Sequence, residues 1–151
     1  MTLQPDITVA AIIERDQHFL IVEERIEQRI VLNQPAGRVE RGESLLAAVS
    51  RETLEESAWQ FQPEWLTGIY LWRNPTSGRD TLRFTFTGSL GGHDPGRTLD
   101  HPVIATHWLT RNELLSRSDA HRSPIVLRCI DDYLAGQRLP LAAIGEFSVG
   151  A

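Results

Sequence analysis

The chain has 151 residues, 41% hydrophobic and 23% charged, which are the proportions of a single globular domain spanning residues 1–151. Its formal net charge of −5 excludes a global basic field of the kind that attracts nucleic acid, so an anionic ligand must be held by local arginines or by a metal ion. The only cysteine, Cys129, excludes an internal disulfide and fits a reducing compartment.

The N-terminal third is predicted to form three strands. Residues 7–15 and 18–25 are β-branched apolar runs divided by Asp16 and Gln17, which indicates two strands and a tight turn. Residues 29–33 form a third, short strand. The apolar run 9–13 is too short to be a signal peptide or a membrane span. We therefore expect a cytoplasmic protein without a membrane partner.

A loop and an amphipathic helix follow. Residues 34–43, QPAGRVERGE, contain one proline and two glycines and predict a loop. No glycine or proline interrupts residues 43–57, where Leu45, Val49 and Thr53 recur at intervals of four residues. This spacing predicts a helix with one apolar stripe.

The C-terminal half mixes strands and helices without regular alternation. Strands are predicted at 65–73, 81–90 and 103–109, loops at 74–80 and 91–97, and helices near 111–115 and at 123–135. The tail that follows is apolar enough to pack, so residues 123–151 are expected to form a C-terminal helix and a packed tail. The whole pattern predicts an α+β fold, or a mixed-sheet α/β sandwich, rather than a doubly wound sheet.

The predicted helix 43–57 carries an unusual cluster of like charges. Glu52, Glu55 and Glu56 lie at i, i+3 and i+4, where carboxylates repel each other by about 0.2–0.5 kcal/mol per pair. Only Arg51, four residues before Glu55, offsets them. Oxygen ligands at fixed spacing are what a hard divalent cation requires, although an isolated acidic run is usually a solvated helix face.

The residues around the cluster favour the metal-binding interpretation. Gly37, Glu43, Arg51, Glu52, Glu55 and Glu56 follow the spacing G-x5-E-x7-R-E-x2-E-E. This pattern resembles the Nudix box, G-x5-E-x7-R-E-U-x-E-E-x-G-U, here over residues 37–59. Two positions depart from it, because Thr53 replaces an aliphatic residue and Ala58 replaces a glycine. Neither departure removes a carboxylate.

The resemblance implies a fold, an activity and a set of site residues. Nudix hydrolases have an α/β/α sandwich with a mixed central β-sheet, and they cleave diphosphate compounds with Mg²⁺ or Mn²⁺. By resemblance, the metal ligands are Glu52, Glu55, Glu56 and the carbonyl of Gly37. Glu55 or Glu52 is expected to orient or deprotonate the attacking water, and Arg51 to hold Glu55. Glu43 is expected to be structural.

Longer segments resemble one branch of the family. NQPAGRVE, LRFTF, HWLT and RSPIVLRCIDDYLAGQRLPLAAIGEF are similar to the bacterial Nudix phosphatases called NudJ. That branch implies hydrolysis of hydroxymethylpyrimidine pyrophosphate, thiamine pyrophosphate and nucleoside di- and triphosphates. The alternatives are hydrolysis of another diphosphate, such as ADP-ribose, a sugar nucleotide or a dinucleoside polyphosphate, or a non-catalytic nucleotide-sensing domain. The sequence leaves a monomer or a homodimer open.

Substrate contacts are predicted on the strands and loops. Arg25 ends a strand and Arg38 follows Gly37, so either could meet a phosphate, although both could equally be surface arginines. Tyr70, Trp72 and Phe84 could stack on a flat ring, although aromatic residues on strands more often belong to the core. In some Nudix relatives a loop before a late strand supplies the base. Here Pro102 occupies that position, and Asp100 or His101 could replace the acid.

Overall fold

The computed structural model describes residues 1–147, so positions 148–151 of the predicted packed tail lie outside the described residues. The strands are β1 Asp6–Ile12, β2 Glu14–Arg15, β3 His18–Ile26, β4 Arg29–Asn33, β5 Ala36–Arg38, β6 Trp59–Arg73, β7 Asp80–His93, β8 Val103–Thr110 and β9 Leu139–Pro140. The helices are α1 Leu45–Ser57, α2 Arg111–Ser116 and α3 Ile125–Leu134, and short 3₁₀ turns occupy Ser118–Ala120 and Leu141–Ala143.

The strands form two pairing networks. The larger sheet has the order β5-β1-β7-β6-β9, in which β1 and β7 run parallel and the other neighbours run antiparallel. In the smaller sheet, β3 pairs antiparallel with β2, β4 and β8. Parallel and antiparallel pairs therefore share one sheet, which confirms the predicted α+β fold with a mixed sheet.

Strand β1 separates two hydrophobic cores because its side chains alternate between the faces of the sheet. Val9 and Ala11 point into a core that includes Ala48 and Val49 of α1. Ile12 belongs to a second core, which contains Cys129 and other residues of α3. Helices α1 and α3 thus cover opposite faces, as in an α/β/α sandwich.

Several element boundaries differ from the sequence prediction. The predicted loop 34–43 contains strand β5, which pairs with β1 through Gly37 opposite Val9. Helix α1 begins at Leu45 rather than at residue 43, because the side chain of Ser44 caps it by accepting from Ala47 N at 3.0 Å. Strands β6 and β7 extend well beyond residues 65–73 and 81–90, since register shifts let them bend as one long hairpin.

The two departures from the Nudix box are accommodated at the end of α1. The Thr53 side chain is fully buried, and its hydroxyl donates to Val49 O at 2.7 Å. Ala58 ends the helix in the left-handed conformation with φ +62°, and its N–H donates to Leu54 O. The helix stops where a glycine would stop it, at a cost of about 1 kcal/mol for the Cβ.

The described part of the C-terminal tail packs onto the first core. Leu141 and Ile144 contact the hydrophobic cluster beneath α1. Glu146 Oε1 accepts a hydrogen bond from Leu45 N at 2.9 Å, so the tail also reaches the N-terminus of α1. None of the helices within residues 1–147 is long and apolar enough to cross a membrane.

Candidate active site

The site begins where strand β5 crosses the side of α1. Gly37 lies directly beneath Glu52, and a Cβ at position 37 would overlap the Glu52 carboxylate. The backbone of β5 therefore approaches the Glu52 carboxylate so closely that a side chain at position 37 would displace it. This contact brings the Gly37 backbone and a helix carboxylate together.

Arg51 ties three carboxylates together. Its Nε and Nη2 donate to the two oxygens of Glu43 at 2.8 and 2.7 Å. Its Nη1 donates to Glu52 at 2.9 Å and to Glu55 at 3.0 Å. Glu43 precedes α1 and also accepts from Glu40 N, so its role in the described structure is to fix Arg51. The predicted i, i+4 contact between Arg51 and Glu55 is present.

Within the described chain, Glu56 forms no ion pair with Arg51 and is more buried than the other carboxylates of α1. It is only 6% exposed, and its Oε1 accepts a hydrogen bond from Ala36 N at 2.7 Å. Glu24 of β3 is also buried and accepts from Arg122 Nη1 at 2.6 Å. The charges of Glu24 and Arg122 both influence Glu56, so the acidic cluster extends beyond α1.

Burial dominates the electrostatics of these carboxylates. It raises the pKa of Glu56 to about 8, against the lowering effect of the Ala36 N–H. Burial also raises the pKa of Glu52, although Arg51 opposes the shift. Hydrogen bonds from Arg51 lower the pKa of Glu43 instead. Glu56 therefore holds a proton at neutral pH unless a cation compensates its charge.

A pH-dependent stability follows from the raised pKa of Glu56. In EDTA, the folded protein should retain a proton between about pH 4.5 and pH 8 that the unfolded chain has lost. Stability should therefore fall as pH rises through this window, with a slope approaching about 1.4 kcal/mol per pH unit. Glu56→Gln should remove that contribution.

Urea unfolding of both proteins from pH 5 to pH 8.5 measures this difference. The stability of Glu56→Gln relative to the unsubstituted protein should rise with pH, because the amide carries no ionisable proton. If the free energies of unfolding of the two proteins change in parallel with pH, the pKa of Glu56 is not raised by folding.

The donor set fits a hard divalent cation. Glu52, Glu55 and Glu56, with the Gly37 carbonyl, offer only oxygen atoms, which Mg²⁺, Mn²⁺ and Ca²⁺ prefer. Over residues 1–147, no three acidic, histidine or cysteine side chains already surround a common point as metal ligands. Glu52 and Glu55 instead accept from Arg51, and Glu56 from Ala36. The close approach at Gly37 is the structural feature that leaves space for carboxylate and carbonyl oxygens together.

A cleft of about 300 Å³ adjoins this cluster. Ala36 and Gly37 form part of its wall, so the cleft reaches the backbone that contacts Glu52 and Glu56. Its lining is rich in arginine, although the whole chain is acidic. The charged lining residues are Asp6, Glu24, Arg38, Arg79, Arg83 and Arg122. A positive cleft beside an acidic cluster suits an anion that carries a divalent cation.

The structure places the predicted substrate contacts in different regions. Arg38 and Trp72 line the cleft. Arg25, in contrast, is exposed and is not among the lining residues. Tyr70 packs against the second core and donates its hydroxyl to Asp132 at 2.7 Å. Phe84 packs against the first core, because alternation along β7 directs it toward α1.

Sequence reasoning missed the cleft residues that come from distant segments. Glu24, Arg83 and Arg122 lie on β3, on β7 and just before α3, and no linear motif connects them. The sequence around Arg83 contains no signal for its burial, because the segment TLRFTFT alternates polar and apolar residues and places Arg83 on the polar face, which predicts an exposed side chain.

The loop that contains Asp100 and His101 packs against the end of α1. Asp100 N donates to Glu55 O, and Asp94 N donates to Ala58 O, both at 2.9 Å. The contact is made by the loop backbone, and both Asp100 and His101 are exposed. The loop therefore supports the helix position that bears Glu55.

Comparison with known proteins agrees with this geometry. A family model described as NUDIX domain matches residues 4–129. Phosphatase NudJ of Escherichia coli strain K12 is 36% identical over 145 residues, which cover 96% of this chain and 94% of that protein. A solved NUDIX hydrolase from Nitrosomonas europaea is 46% identical, with a TM-score of 0.93 over 95% of this chain and 98% of that one. A MutT NUDIX hydrolase from Burkholderia pseudomallei shares the fold at 19% identity and a TM-score of 0.71, over 85% of this chain and 98% of that one.

Proposed function

The chain belongs to the Nudix hydrolase family, enzymes that act on phosphoanhydrides, and from that premise we propose that its substrates are small diphosphate compounds. These are hydroxymethylpyrimidine pyrophosphate, thiamine pyrophosphate and nucleoside di- and triphosphates. The observation that carries the proposal is the junction of a carboxylate cluster with a small arginine-lined cleft. The volume of about 300 Å³ is at the lower end for small-molecule sites and favours one ring and a short phosphate chain.

Divalent metal is the expected cofactor of this family, and we propose Mg²⁺ or Mn²⁺ for this enzyme. Glu52, Glu55, Glu56 and the Gly37 carbonyl would hold it. When bound, such an ion neutralises phosphate charge and activates water. Burial of Glu56 favours this role, because a cation would compensate a carboxylate that is otherwise costly to ionise.

The side chains around the proposed metal site have distinct roles in the proposal. Arg51 orients Glu52 and Glu55 through charged hydrogen bonds of 2.9 and 3.0 Å. Glu55 or Glu52 then takes the proton of the attacking water, since both are more accessible than Glu56. Trp72 offers a stacking surface in the cleft, and Arg38 a charged hydrogen-bond donor. The predicted cytoplasmic location stays a prediction.

Substrate preference tests the proposal. We expect turnover of hydroxymethylpyrimidine pyrophosphate and simple nucleoside di- and triphosphates, with inorganic phosphate released from the terminal position. Selectivity between two nucleobases should stay within roughly tenfold to a hundredfold, because stacking on an aromatic ring tolerates many flat rings. The measurement is kcat/KM with Mg²⁺ across these compounds, thiamine pyrophosphate, ADP-ribose and diadenosine polyphosphates, with chromatographic product analysis.

The same assay includes a metal-free control and an outcome that would reject the proposal. EDTA should abolish turnover of every substrate if a divalent ion is required. A thousandfold preference for ADP-ribose or a dinucleoside polyphosphate would reject the proposed substrates and leave the family membership unchanged.

The loop residues Asp100 and His101 are not expected to supply the general base. Both are exposed, and the loop contacts α1 through its backbone. Asp100→Asn and His101→Ala should each reduce kcat less than about tenfold, below the usual contribution of a general base. A thousandfold loss of kcat in either variant would place the base in this loop.

A further inference from the structure

The cleft contains one buried arginine that is not paired with an acid. Arg83 of β7 is only 6% exposed, and it lines the cleft. Its Nη1 donates to Gln34 Oε1 and its Nη2 to Asn33 Oδ1, both at 3.1 Å. These acceptors are neutral amides, and among residues 1–147 Arg83 forms no salt bridge. A buried cation without a counter-charge is costly unless a ligand supplies one.

The other arginines of the cleft each contact a carboxylate. Arg38 and Arg79 share the carboxylate of Asp6, at 3.1 and 2.9 Å. Arg122 pairs with Glu24 at 2.6 Å. Each of these three therefore has an acidic partner within the protein, whereas Arg83 does not. Because Arg38 and Arg79 share one carboxylate, the cleft retains two positive charges, one over this exposed arginine pair and one on Arg83, which is the buried arginine.

Two polar atoms, one at Arg83 and one on the adjacent strand, have no hydrogen-bond partner among the described residues. Thr8 Oγ1 and Arg83 Nε are buried polar atoms without a hydrogen-bond partner in the described chain. Thr8 of β1 is the register partner of Arg83 on the parallel strand β7, and both residues line the cleft. Buried polar groups are nearly always satisfied, so these two atoms on neighbouring strands have hydrogen-bonding capacity that an oxyanion could use.

The guanidinium is also held in a fixed orientation. Gln34 is only 1% exposed, and its Nε2 donates to Val126 O at 2.7 Å, which turns its oxygen toward Arg83. Asn33 is buried at the end of β4, which belongs to the smaller sheet. Supports of this kind preorganise a binding group and reduce the entropy lost when a ligand arrives.

We propose that Arg83 and Thr8 form an oxyanion site that binds the phosphate chain of the substrate, separate from the proposed metal-binding carboxylates. The inference deepens the proposed function and rests on it, because a phosphate chain is what the proposed substrates share. A guanidinium is the preferred partner of phosphate oxygens. The cleft connects this site with Gly37, so one phosphate chain can contact both regions.

The test uses EDTA-treated protein and inorganic pyrophosphate as the probe, with affinity measured by calorimetry. Asn33→Asp is the decisive variant, since it keeps the shape and the acceptor and gives Arg83 an internal counter-charge. We expect pyrophosphate affinity to fall at least about tenfold, with unfolding stability unchanged or increased. With Mg²⁺ restored, KM for the nucleotide or pyrimidine substrate should rise by a similar factor, and kcat should change less than about threefold.

Asn74→Asp is the matched control. Asn74 lines the same cleft, and its Oδ1 accepts from Thr76 N and Ser77 N, a role that aspartate retains. The Asn74→Asp substitution adds the same negative charge to the cleft as Asn33→Asp does, but at a residue that does not bind Arg83. We expect its effect on pyrophosphate affinity to stay below about threefold at physiological salt, where screening weakens exposed charges.

A second variant keeps the inference testable if Asn33→Asp does not fold. Thr8→Val has nearly the same shape and removes only the hydroxyl, so it should weaken pyrophosphate binding roughly three- to tenfold. Equal affinity in Asn33→Asp and Asn74→Asp would overturn the inference, as would unchanged binding by Thr8→Val or no binding by the metal-free protein. If Arg83-dependent binding is found but Mg²⁺ supports no hydrolysis of any diphosphate, the oxyanion site stands and the proposed function fails.

Discussion

Glutamine in place of Glu56 is expected to lower kcat by at least about a hundredfold, because a carboxylate that we propose binds the metal ion would be lost. The amide still accepts from Ala36 N, the only hydrogen bond that the Glu56 side chain makes in the described structure. The fold should therefore survive, and unfolding in EDTA should show a protein at least as stable at pH 8. The loss should appear both in turnover and in the increase of melting temperature that Mg²⁺ produces.

Glu64→Gln is the matched control for this variant. Glu64 is an exposed residue of β6, and the substitution removes the same charge far from the carboxylate cluster. Its turnover and its response to Mg²⁺ should match those of the unsubstituted enzyme. A Glu56→Gln enzyme that behaves in the same way would remove Glu56 from the proposed metal site.

Alanine in place of Gly37 should reduce activity about ten- to a hundredfold while leaving the fold intact. The heavy atoms nearest to the added Cβ would be the carboxylate atoms at the end of the Glu52 side chain, which can rotate away. The cost to stability is therefore small, but the carboxylate moves from its position beside the Gly37 backbone. Turnover at a series of Mg²⁺ concentrations should show a higher metal requirement, and thermal unfolding in EDTA should change little.

Gly92→Ala provides the comparison at a site without such a contact. A Cβ on Gly92 would come no closer than 3.7 Å to the Gln60 side chain, which is an ordinary contact. Equal activity in the Gly37 and Gly92 variants would show that the close approach of β5 to Glu52 has no functional consequence.

The parts of this site that lie on one local element could be predicted from the sequence. Helical spacing fixes the contact of Arg51 with Glu55, and it also places Glu52 and Glu56 on adjoining turns. The β-branched apolar run at 7–15 predicted a strand where β1 lies. The resemblance to the Nudix box implied that Gly37 and Glu52 belong to one site, and in the structure the Gly37 backbone lies against the Glu52 carboxylate.

The remaining parts depend on which elements become neighbours. Arg83, Thr8 and Asn33 meet only because β7 joins β1 in parallel while β4 ends beside them. Predicting such long-range register requires the complete sheet order. The sequence left open whether Phe84 and Tyr70 stack on a substrate or belong to the core, and in the structure each is partly buried and packs against one of the two cores. The prediction of a strand does not by itself tell which face of that strand lines the cleft.

Strand β5 shows why short pairings are also missed. Its three residues lie in a segment with one proline and two glycines, and its sequence contains no β-branched residue. The strand forms because β1 offers free backbone groups at its edge, so the pairing is a property of the assembled sheet.

The Glu55→Gln, Glu56→Gln double variant, assayed with saturating Mg²⁺ and product-resolved chromatography, tests the central claim that the α1 carboxylates hold the metal for diphosphate hydrolysis. Both substitutions keep the shape of the side chains, and circular dichroism and thermal unfolding can verify the fold. We expect hydrolysis of hydroxymethylpyrimidine pyrophosphate and nucleoside triphosphates to fall at least about a thousandfold, toward the rate seen in EDTA. Turnover close to that of the unsubstituted enzyme would contradict the account.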